Sequence, residues 1–522
     1  MGDPMTPGGG TPAPTRSAAR RWLPWVGVLV AAGLVVVLVR PSSDDEGAGA
    51  PKSSTSSGGG TEANASGCDE RQLTSSDYGP CRIKSFTGDN GGATTVGVTD
   101  DTITVSLRLG SSTQLSTLNA LAGDAASSLG SNQDEVVEDV KALVDYFNDE
   151  FELYGRQVEV EVFEGQGDFV AEFQSQGVHG AQIDATRARD LEAFADISLL
   201  TQTQPYAEAL IANNIVSLGP VYASASWYAD HAPYALGGPW PLSTELAEYA
   251  GNVVCEQLAG EAAEYAGATL SSEVRRFGLI YADVPEWTLA ADALVATIED
   301  CGESVTRQLG FALDIVTMQG ETTNAVAQMK AEGVTTIICI CDEFSPLFLT
   351  TAAVTQDYEP EWLMQPWPDP WGRLAAQDQF ARAMQLGGST PVFADTEVGE
   401  VLTAATGSAE AASPSSIGLT YQQLLVLFSA LQAAGPDLTP ETFQSGYFSL
   451  PLTDEGVFGP WEFGEGRFSP KTSFQLGWWS PDVESNLDGK PGSIQDCGAG
   501  TWHRFDDAKG LAADASPLGC FG

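Results

Sequence analysis

Short apolar runs alternate along this chain with longer segments whose apolar residues recur every three or four positions. The first series comprises ITVSLRLG at 103–110, DEVVEDVKALVDYFNDE at 134–150, YGRQVEVEVFEGQGD at 154–168, and a stretch that ends in FADISLLTQTQP at 194–205. A short apolar run bounded by polar residues is typical of a buried strand, and the three-to-four spacing is typical of an amphipathic helix. Strands that alternate with helices in this way predict an α/β fold.

A second series with the same rhythm begins near residue 275. Its strand-like runs are RRFGLIYAD, ESVTRQLGF and TTIICICDE, and its helix-like segments are EWTLAADALVATIEDCG, TTNAVAQMKAEGV and SPLFLTTAAVTQ. A later apolar helix, SIGLTYQQLLVLFSALQAAG, precedes DLTPETF and a hairpin-like VFGPWEFGEGRFSPKTSFQLGWW. With 522 residues the chain is long enough for two lobes and additional tails.

The N-terminal region carries an unbroken apolar run, Trp22–Val39. At about 1.5 Å per residue this run nearly spans a hydrocarbon core, and it is longer than the core of most signal peptides. Arginines precede it and the acidic residues Asp44–Glu46 follow, which predicts a single-pass anchor with the N-terminus inside and the bulk of the chain outside the cytoplasm. Cleavage after the small-residue triplet Ala48–Ala50 is the alternative.

Charge and composition narrow the classes of partner. The net charge is −46, so phosphate repulsion makes nucleic acid a poor partner, and an acidic solvated surface explains the excess better than an acidic recognition site does. A hydrophobic share of 43% is ordinary for a globular protein. The sequence offers three histidines and none of the HExxH, GxSxG or GxxxxGK[ST] motifs, so we expect no enzyme and no cofactor.

Eight cysteines in an exported chain indicate disulfides, although the sequence alone does not fix their connectivity. The predicted pairs are Cys68 with Cys81, Cys255 with Cys301, and Cys497 with Cys520. Cys255 and Cys301 lie on two helix-like segments, which can meet if both flank one sheet. Cys339 and Cys341 lie on one face of a strand. A metal site there is disfavoured because no second cysteine pair or nearby histidine completes a tetrahedral set, which leaves two buried thiols or a bridge between them.

Taken in order, these elements resemble the type I periplasmic-binding-protein fold in its branched-chain amino acid (Leu/Ile/Val-binding) branch. The resemblance covers roughly residues 98–480: MQGETTNAVAQMKAEGVTTIICI is similar to the family's second-lobe strand–helix–strand, and TQTQP is similar to its Ser/Thr-rich first-lobe loop. It implies a two-lobed monomer, each lobe a parallel sheet flanked by helices, that captures a small polar ligand for an ABC permease. The expected ligand is an amino acid, an amide or a small carboxylate.

The resemblance and the composition together predict the domain organisation. A Ser/Gly-rich linker follows the anchor and should be flexible. The predicted divisions are a cytoplasmic tail at 1–21, the anchor at 22–39, the linker at 40–67, a disulfide-stapled segment at 68–97, lobe 1 at 98–238 and 391–450, lobe 2 at 239–390 and 451–480, and a C-terminal extension at 481–522.

The ligand site is expected where the C-terminal ends of the strands in both lobes face a cleft. In relatives the first-lobe loops hold a carboxylate with hydroxyls and backbone N–H groups; here Thr201 and Thr203 could equally cap the helix that follows. The family's glutamate for an amino acid's ammonium has no clean match, and Asp342 and Glu343 lie near its place but out of register. The candidate ligand-binding residues are Thr201, Gln202, Thr203, Tyr222, Ala223 and Ser224 of lobe 1, and Tyr281, Asp283, Trp287, Asp342 and Glu343 of lobe 2.

Two functional classes follow from the sequence. The first is a solute-binding protein that closes its lobes on a small molecule and presents it to an ABC permease. The second is a membrane-tethered sensor or interaction protein that keeps the binding fold without a transport role. A neighbouring permease gene would favour transport, and a partner kinase gene would favour sensing.

Overall fold

The computed structural model describes residues 72–73, 82–83, 86–111, 133–174, 176–198, 201–219, 222–342, 344–452, 459–497 and 500–505. The predicted tail, anchor and linker lie outside these ranges, as do Cys68, Cys81, Cys520 and Glu343. Two short antiparallel strands, β1 (Gln72–Leu73) and β2 (Arg82–Ile83), precede the first lobe.

Lobe 1 begins as a parallel five-stranded sheet in the order β4-β3-β5-β6-β7. Strand β3 lies inside the sheet and is buried along most of its length, as expected for a strand covered on both faces. Strand β4 lies at the edge of the sheet and alternates more buried with more exposed positions. The elements in chain order are β3 (Thr102–Leu109), α1 (Gln133–Glu150), β4 (Gln157–Glu164), α2 (Phe169–Phe173), α3 (Val178–Asp190), β5 (Ala195–Asp196), α4 (Gln204–Ala212), β6 (Val216–Leu218), α5 (Ala225–Asp230) and β7 (Ala235–Leu236).

Lobe 2 follows as a second run of strands and helices. Its central strand β10 is buried at every position, which matches the continuous apolar run TIICI. The elements are α6 (Ser243–Val253) with a π-helical turn (Val254–Leu258), β8 (Phe277–Ala282), α7 (Pro285–Asp300), β9 (Val305–Phe311), α8 (Ile315–Ala331), β10 (Thr336–Ile340), α9 (Ser345–Thr355), β11 (Glu361–Met364), α10 (Asp369–Gly372), α11 (Gln377–Phe380) and β12 (Ala383–Gln385).

The chain then returns to lobe 1 with three helices and a 3-10 turn (Phe393–Asp395): α12 (Glu397–Thr406), α13 (Pro414–Ala434) and α14 (Pro440–Phe448). The start of α14 has a capping box, since the Thr439 hydroxyl accepts from the Thr442 N–H and the Thr442 hydroxyl accepts from the Thr439 N–H. Among the described helices, α13 is long and apolar enough to cross a membrane by length and composition, but 78% of its most apolar window is buried. It is the core helix of lobe 1, where Phe428 stacks on Phe147 of α1.

Four strands complete the described chain: β13 (Ser473–Phe474), β14 (Gly477–Glu484), β15 (Pro491–Asp496) and β16 (His503–Arg504). The lobe 2 sheet has the order β15-β14-β12-β11-β10-β8-β9, with β14 and β15 added antiparallel to a parallel core. Strands β13 and β16 form a separate antiparallel pair.

The chain crosses between the lobes three times, near residues 237–242, 386–392 and 469–473, as the membership of the two hydrophobic cores shows. The sequence places the start of the last lobe 2 segment at 451. In the structure Trp461 and Phe468 still pack in the core of lobe 1, where Phe468 contacts Phe448 of α14 and Trp461 contacts Phe463. Residues 491–496, placed by the sequence in the C-terminal extension, form a strand of the lobe 2 sheet.

The first and third crossings touch each other at Gly237. Its N–H donates to the carbonyl oxygen of Phe468 at 2.6 Å, and the Tyr447 hydroxyl donates to the same oxygen at 2.8 Å. A Cβ at position 237 would lie 2.3 Å from that oxygen, so only glycine permits this approach. The hinge strands are therefore bonded to one another directly.

Glu245 follows the first crossing and gives the hinge a pH dependence. Burial raises its pKa to about 7, and Arg467 at 3.9 Å opposes the shift. The folded protein thus binds this proton more tightly than the unfolded chain does, so the stabilisation is present below the ordinary glutamate pKa and is lost as pH rises through about 7.

We expect Glu245→Gln to stabilise the protein at pH 8 more than at pH 5. The difference in unfolding free energy between the variant and the parent should grow by about 1–2 kcal/mol over that interval, after allowance for partial solvent screening. Urea unfolding at both pH values measures it, with the exposed Glu299→Gln as control. An equal effect of Glu245→Gln at both pH values would contradict the prediction.

The predicted disulfide between Cys255 and Cys301 is present, with Cα atoms 6.0 Å apart, and joins the end of α6 to the end of α7. Cys339 and Cys341 are bridged to each other, which decides between the two options that the sequence left. Cys497 is also disulfide-bonded, but its predicted partner Cys520 lies outside the described residues.

Candidate functional site

The lobes meet through residues that follow the strands of both sheets. The Ser224 N–H of lobe 1 donates to Glu286 Oε2 of lobe 2 at 2.6 Å. The Tyr222 ring packs on the Trp287 ring, with centroids 4.9 Å apart and planes at 51°. Phe169 at the start of α2 joins Tyr222 in packing against the core of lobe 2. The cleft face of each lobe is thus in contact with the other.

The Tyr222–Ser224 segment is held in a defined conformation. Tyr222 has a φ of 68°, in the left-handed region that bulky residues rarely adopt, and such outliers are concentrated at functional sites. Ala223 is buried, and its carbonyl accepts from the Ser243 N–H at 3.1 Å. The Ser224 hydroxyl accepts from the Trp227 N–H at 3.2 Å, so this side chain caps α5 and leaves the Ser224 N–H to Glu286.

The side chains of Thr201, Gln202 and Thr203 bond within lobe 1. The Thr201 hydroxyl donates to the Arg108 carbonyl at 2.8 Å, and Thr203 is the N-cap of α4, accepting from the Tyr206 N–H at 3.3 Å. Gln202 Nε2 donates to Asp196 Oδ1 at 3.2 Å. Gln202 Oε1 has no hydrogen-bond partner within the described ranges, and it lies where a side chain at Gly219 would be.

A buried ion cluster underlies this loop. Arg108, at the end of β3, donates to Glu172 at 2.9 Å and to Asp184 at 3.1 Å, and its guanidinium lies 3.7 Å from the centre of the Tyr206 ring. It also donates to the Thr201 carbonyl. Burial alone would lower the pKa of Arg108, but the bond to Glu172 and the nearby negative charges raise it. The cluster ties β3, α2, α3 and the 201–203 loop together.

Asp184 extends the cluster to the loop that carries Gln166–Asp168. Its two carboxylate oxygens accept from the backbone N–H groups of Gln166 and Gly167 at 2.8 and 2.9 Å. Asp168 in turn accepts from the Ala171 N–H at 3.1 Å at the start of α2. Phe169 of that helix is one of the aromatic residues at the cleft.

Asp196 is a second buried carboxylate of lobe 1. It accepts from the Ser106 hydroxyl at 2.7 Å, the Tyr206 hydroxyl at 2.9 Å and the Ser198 N–H at 2.9 Å. Burial raises the pKa of Asp196, although these hydrogen bonds favour the ionised form. It orients the loop after β5 from within the lobe.

The lobe 2 candidates differ in what their side chains contact. Asp342 is buried and caps α9: it accepts from the Phe344 and Ser345 N–H groups at 2.7 and 3.1 Å and from the Ser345 hydroxyl. Burial raises its pKa. Tyr281 is partly exposed and lies beside Gly310 of β9, where burial and then the charge of Asp283 raise its pKa. Trp287 is the candidate of lobe 2 that contacts the candidates of lobe 1.

Glu286 and the ion cluster were not among the candidates drawn from the sequence. Arg108 had a signal, since it is a charged residue within the apolar run ITVSLRLG, and such a residue needs a buried partner. Glu286 stands between Pro285 and Trp287 in the first turn of α7, directly after the end of β8, which was predicted to face the cleft. Its contact with Ser224 depends on the closure of two lobes and has no local signature.

A groove on the far side of lobe 2 is a weaker candidate for the ligand site than the cleft. Within the described ranges no group of three or more His, Cys, Asp or Glu residues could hold a metal ion. An open groove of about 620 Å³ lies near the N-terminal end of β11, the end opposite the cleft. Its lining includes Tyr265, Glu359, Gln377, Arg382 and Trp478. Ligands of parallel sheets bind at the other end, so the cleft is the better candidate.

Comparison with solved structures identifies the fold. The chain is similar to the fatty acid ABC transporter substrate-binding protein from Thermomonospora curvata, with a TM-score of 0.54 and 16% identity over 82% of this chain and 97% of that one. It is similar to a periplasmic binding protein type 1 from Bordetella pertussis Tohama I, with a TM-score of 0.53 and 13% identity over 76% of this chain and 100% of that one. The chain has the type I periplasmic-binding-protein fold.

A third structure with this fold is the leucine-, isoleucine-, valine-, threonine- and alanine-binding protein from Brucella ovis in a closed conformation. Its TM-score is 0.52, with 12% identity over 78% of this chain and 96% of that one. The predicted α/β periplasmic-binding fold is therefore confirmed. No family model and no curated protein matches the sequence.

Proposed function

We propose that this chain is an extracytoplasmic solute-binding protein that captures a small polar ligand between its lobes and presents it to an ABC permease. The observation that carries the proposal is the contact of Tyr222 and Ser224 with Glu286 and Trp287 at the strand ends of the two sheets. A ligand that enters here would be enclosed when the lobes rotate about the three crossings.

The neighbours in fold support a transport role. They include a fatty acid ABC transporter substrate-binding protein and a leucine-, isoleucine-, valine-, threonine- and alanine-binding protein. In this proposal the apolar segment 22–39 holds the protein at the outer face of the membrane, as a monomer, next to its permease. Thr201, Gln202 and Thr203 position the first-lobe loop, while Tyr222, Ser224 and Trp287 contact the ligand.

A thermal-shift screen of the full-length protein over amino acids, amides, carboxylates, sugars and organic amines tests the proposal, because a ligand that binds only the folded state raises the unfolding temperature. The proposal is supported if a compound raises the unfolding temperature and small-angle scattering shows that the same compound changes the separation of the lobes. The absence of any hit across these classes contradicts it.

Once a ligand is found, Trp287→Ala should weaken its binding by roughly tenfold or more, because buried aromatic anchors supply a large part of binding energy. Calorimetry measures the dissociation constant. Leu289→Ala is the matched control, since Leu289 lies on the same helix with its side chain 45% exposed. If Trp287→Ala binds as tightly as the parent, the ligand does not occupy this cleft.

A further inference from the structure

Glu286 is a buried carboxylate with unused hydrogen-bonding capacity. The residue is 8% exposed and accepts one hydrogen bond, from the Ser224 N–H across the cleft. No Lys or Arg of the described ranges forms an ion pair with it. An ionised carboxylate has about four acceptor positions, and a buried charge without a cation is costly.

The other fully buried acidic residues of the described ranges are satisfied, whereas the partly buried Glu245 also has one oxygen, Oε2, without a hydrogen-bond partner. Glu172 and Asp184 share Arg108, and Glu361 is paired with Arg275. The remaining three receive at least three hydrogen bonds each: Asp196, Asp342 and Asp369. Among the fully buried acidic residues of the described ranges, the shortage of partners is therefore specific to Glu286.

The surroundings of Glu286 suit a positive charge. Trp287 follows Glu286 in the chain and packs on Tyr222, whose neighbour Ser224 bonds to Glu286, and Phe169 and Tyr222 both pack against the core of lobe 2. Aromatic rings attract organic cations, most strongly when the site is desolvated. The net charge of −46 adds a long-range field that draws cations toward the protein and repels anions.

We propose that Glu286 determines the specificity of the cleft and that the ligand is an organic cation, an ammonium or amidinium group on an apolar body that carries no carboxylate. The proposal rests on the solute-binding function above and narrows its ligand. The cationic head completes the hydrogen bonds of Glu286, and the apolar body lies between Tyr222 and Trp287 once the lobes have opened.

Glu286 also excludes acids. A ligand carboxylate that approached the Ser224 N–H would displace the Glu286 carboxylate or lie beside it, and like charges in a buried site repel each other strongly. Removal of Glu286 should consequently free this N–H for an anion. The same substitution is thus expected to weaken one class of ligand and admit the other.

The test uses the full-length protein and probes that share a phenyl ring but differ in charge: benzylamine, phenethylamine and benzamidine against benzoate and phenylacetate. Titration calorimetry and thermal shift are measured at one ionic strength. We expect at least one of the cations to bind the parent protein and the two anions to bind at least tenfold more weakly.

Two variants separate the role of the charge from that of the fold. Glu286→Gln keeps the size and one acceptor, and should weaken cation binding at least tenfold. Glu286→Ala should do the same and should also strengthen benzoate binding at least tenfold. The exposed Glu299→Gln on the same helix is the control and should leave both affinities unchanged. Unfolding temperatures without ligand establish that each variant is folded. If Glu286→Ala is unfolded, the test rests on Glu286→Gln alone.

The outcomes distinguish this inference from the function on which it rests. If the cations fail to bind, or bind Glu286→Gln as tightly as the parent, while another compound binds in a manner that depends on Trp287, the ligand class is wrong and the solute-binding function stands. If no compound of any class binds the parent, both proposals fall.

Discussion

Arg108→Ala is expected to lower the free energy of unfolding by about 3–5 kcal/mol, because it leaves two buried carboxylates without their cation. Glu172 and Asp184 both bond to this guanidinium, and each side chain of the cluster is at most 2% exposed. The loop at 201–203 would lose the bond from the guanidinium to the Thr201 carbonyl and would keep the bond from the Thr201 hydroxyl to the residue 108 carbonyl. Urea unfolding gives the free energy, and hydrogen exchange should show earlier opening of lobe 1 than of lobe 2.

Arg189→Ala is the matched control for that change. Arg189 bonds to Asp190 at 2.8 Å, but both side chains are about half exposed, and exposed pairs contribute about 0–1 kcal/mol. Equal losses from Arg108→Ala and Arg189→Ala would show that the buried cluster does not stabilise lobe 1.

Glu361→Ala should lower the free energy of unfolding by a similar amount, again about 3–5 kcal/mol, because it leaves the buried Arg275 without its carboxylate partner. Glu361 begins β11 and accepts from Arg275 Nε at 2.8 Å, the Thr336 hydroxyl at 2.8 Å and the Tyr265 N–H at 3.0 Å. It thereby joins β11 to β10 and to the segment before β8. Hydrogen exchange in this variant should increase first in β10 and β11.

Glu332→Ala is the matched control for Glu361→Ala. Glu332 lies 3.7 Å from its partner Arg307, and both side chains are about 40% exposed. We expect little change in unfolding free energy there. If exchange in Glu361→Ala rises uniformly over both lobes, the lobes unfold as one unit and the assignment of this pair to lobe 2 stability is wrong.

Local patterns were sufficient to predict an α/β fold, and the resemblance of the ordered elements to the type I periplasmic-binding proteins predicted the two lobes. The runs FGLIY and TTIICI are strands β8 and β10 because both are buried on two faces, and SIGLTYQQLLVLFSALQAAG is the core helix α13. Alternating series of strand and helix leave few possible topologies. The pairing of Cys255 with Cys301 could be predicted because two helices that pack against one sheet bring these two cysteines together.

The site was predicted only in part, because polar partners are chosen by tertiary geometry. The segments at 201–203, 222–224 and 281–287 do follow strand ends, but which side chains face inward depends on contacts between distant positions. Thr203 bonds to Glu172, Ser224 bonds to Glu286, and Asp342 is occupied with the start of α9. A sequence pattern gives the loop, whereas the direction of each side chain within it requires the fold.

Lobe 1 is built from two separated stretches of the chain, which affects the order in which the lobes assemble during synthesis. Strands β8 to β12 come from one continuous stretch, so most of the lobe 2 core can form as soon as residue 385 has emerged. Lobe 1 begins at β3 but needs α13, which arrives about 300 residues later, to cover its core. We therefore expect the lobe that is translated first to be completed last, with its apolar sheet face dependent on chaperones until the C-terminal third of the chain arrives.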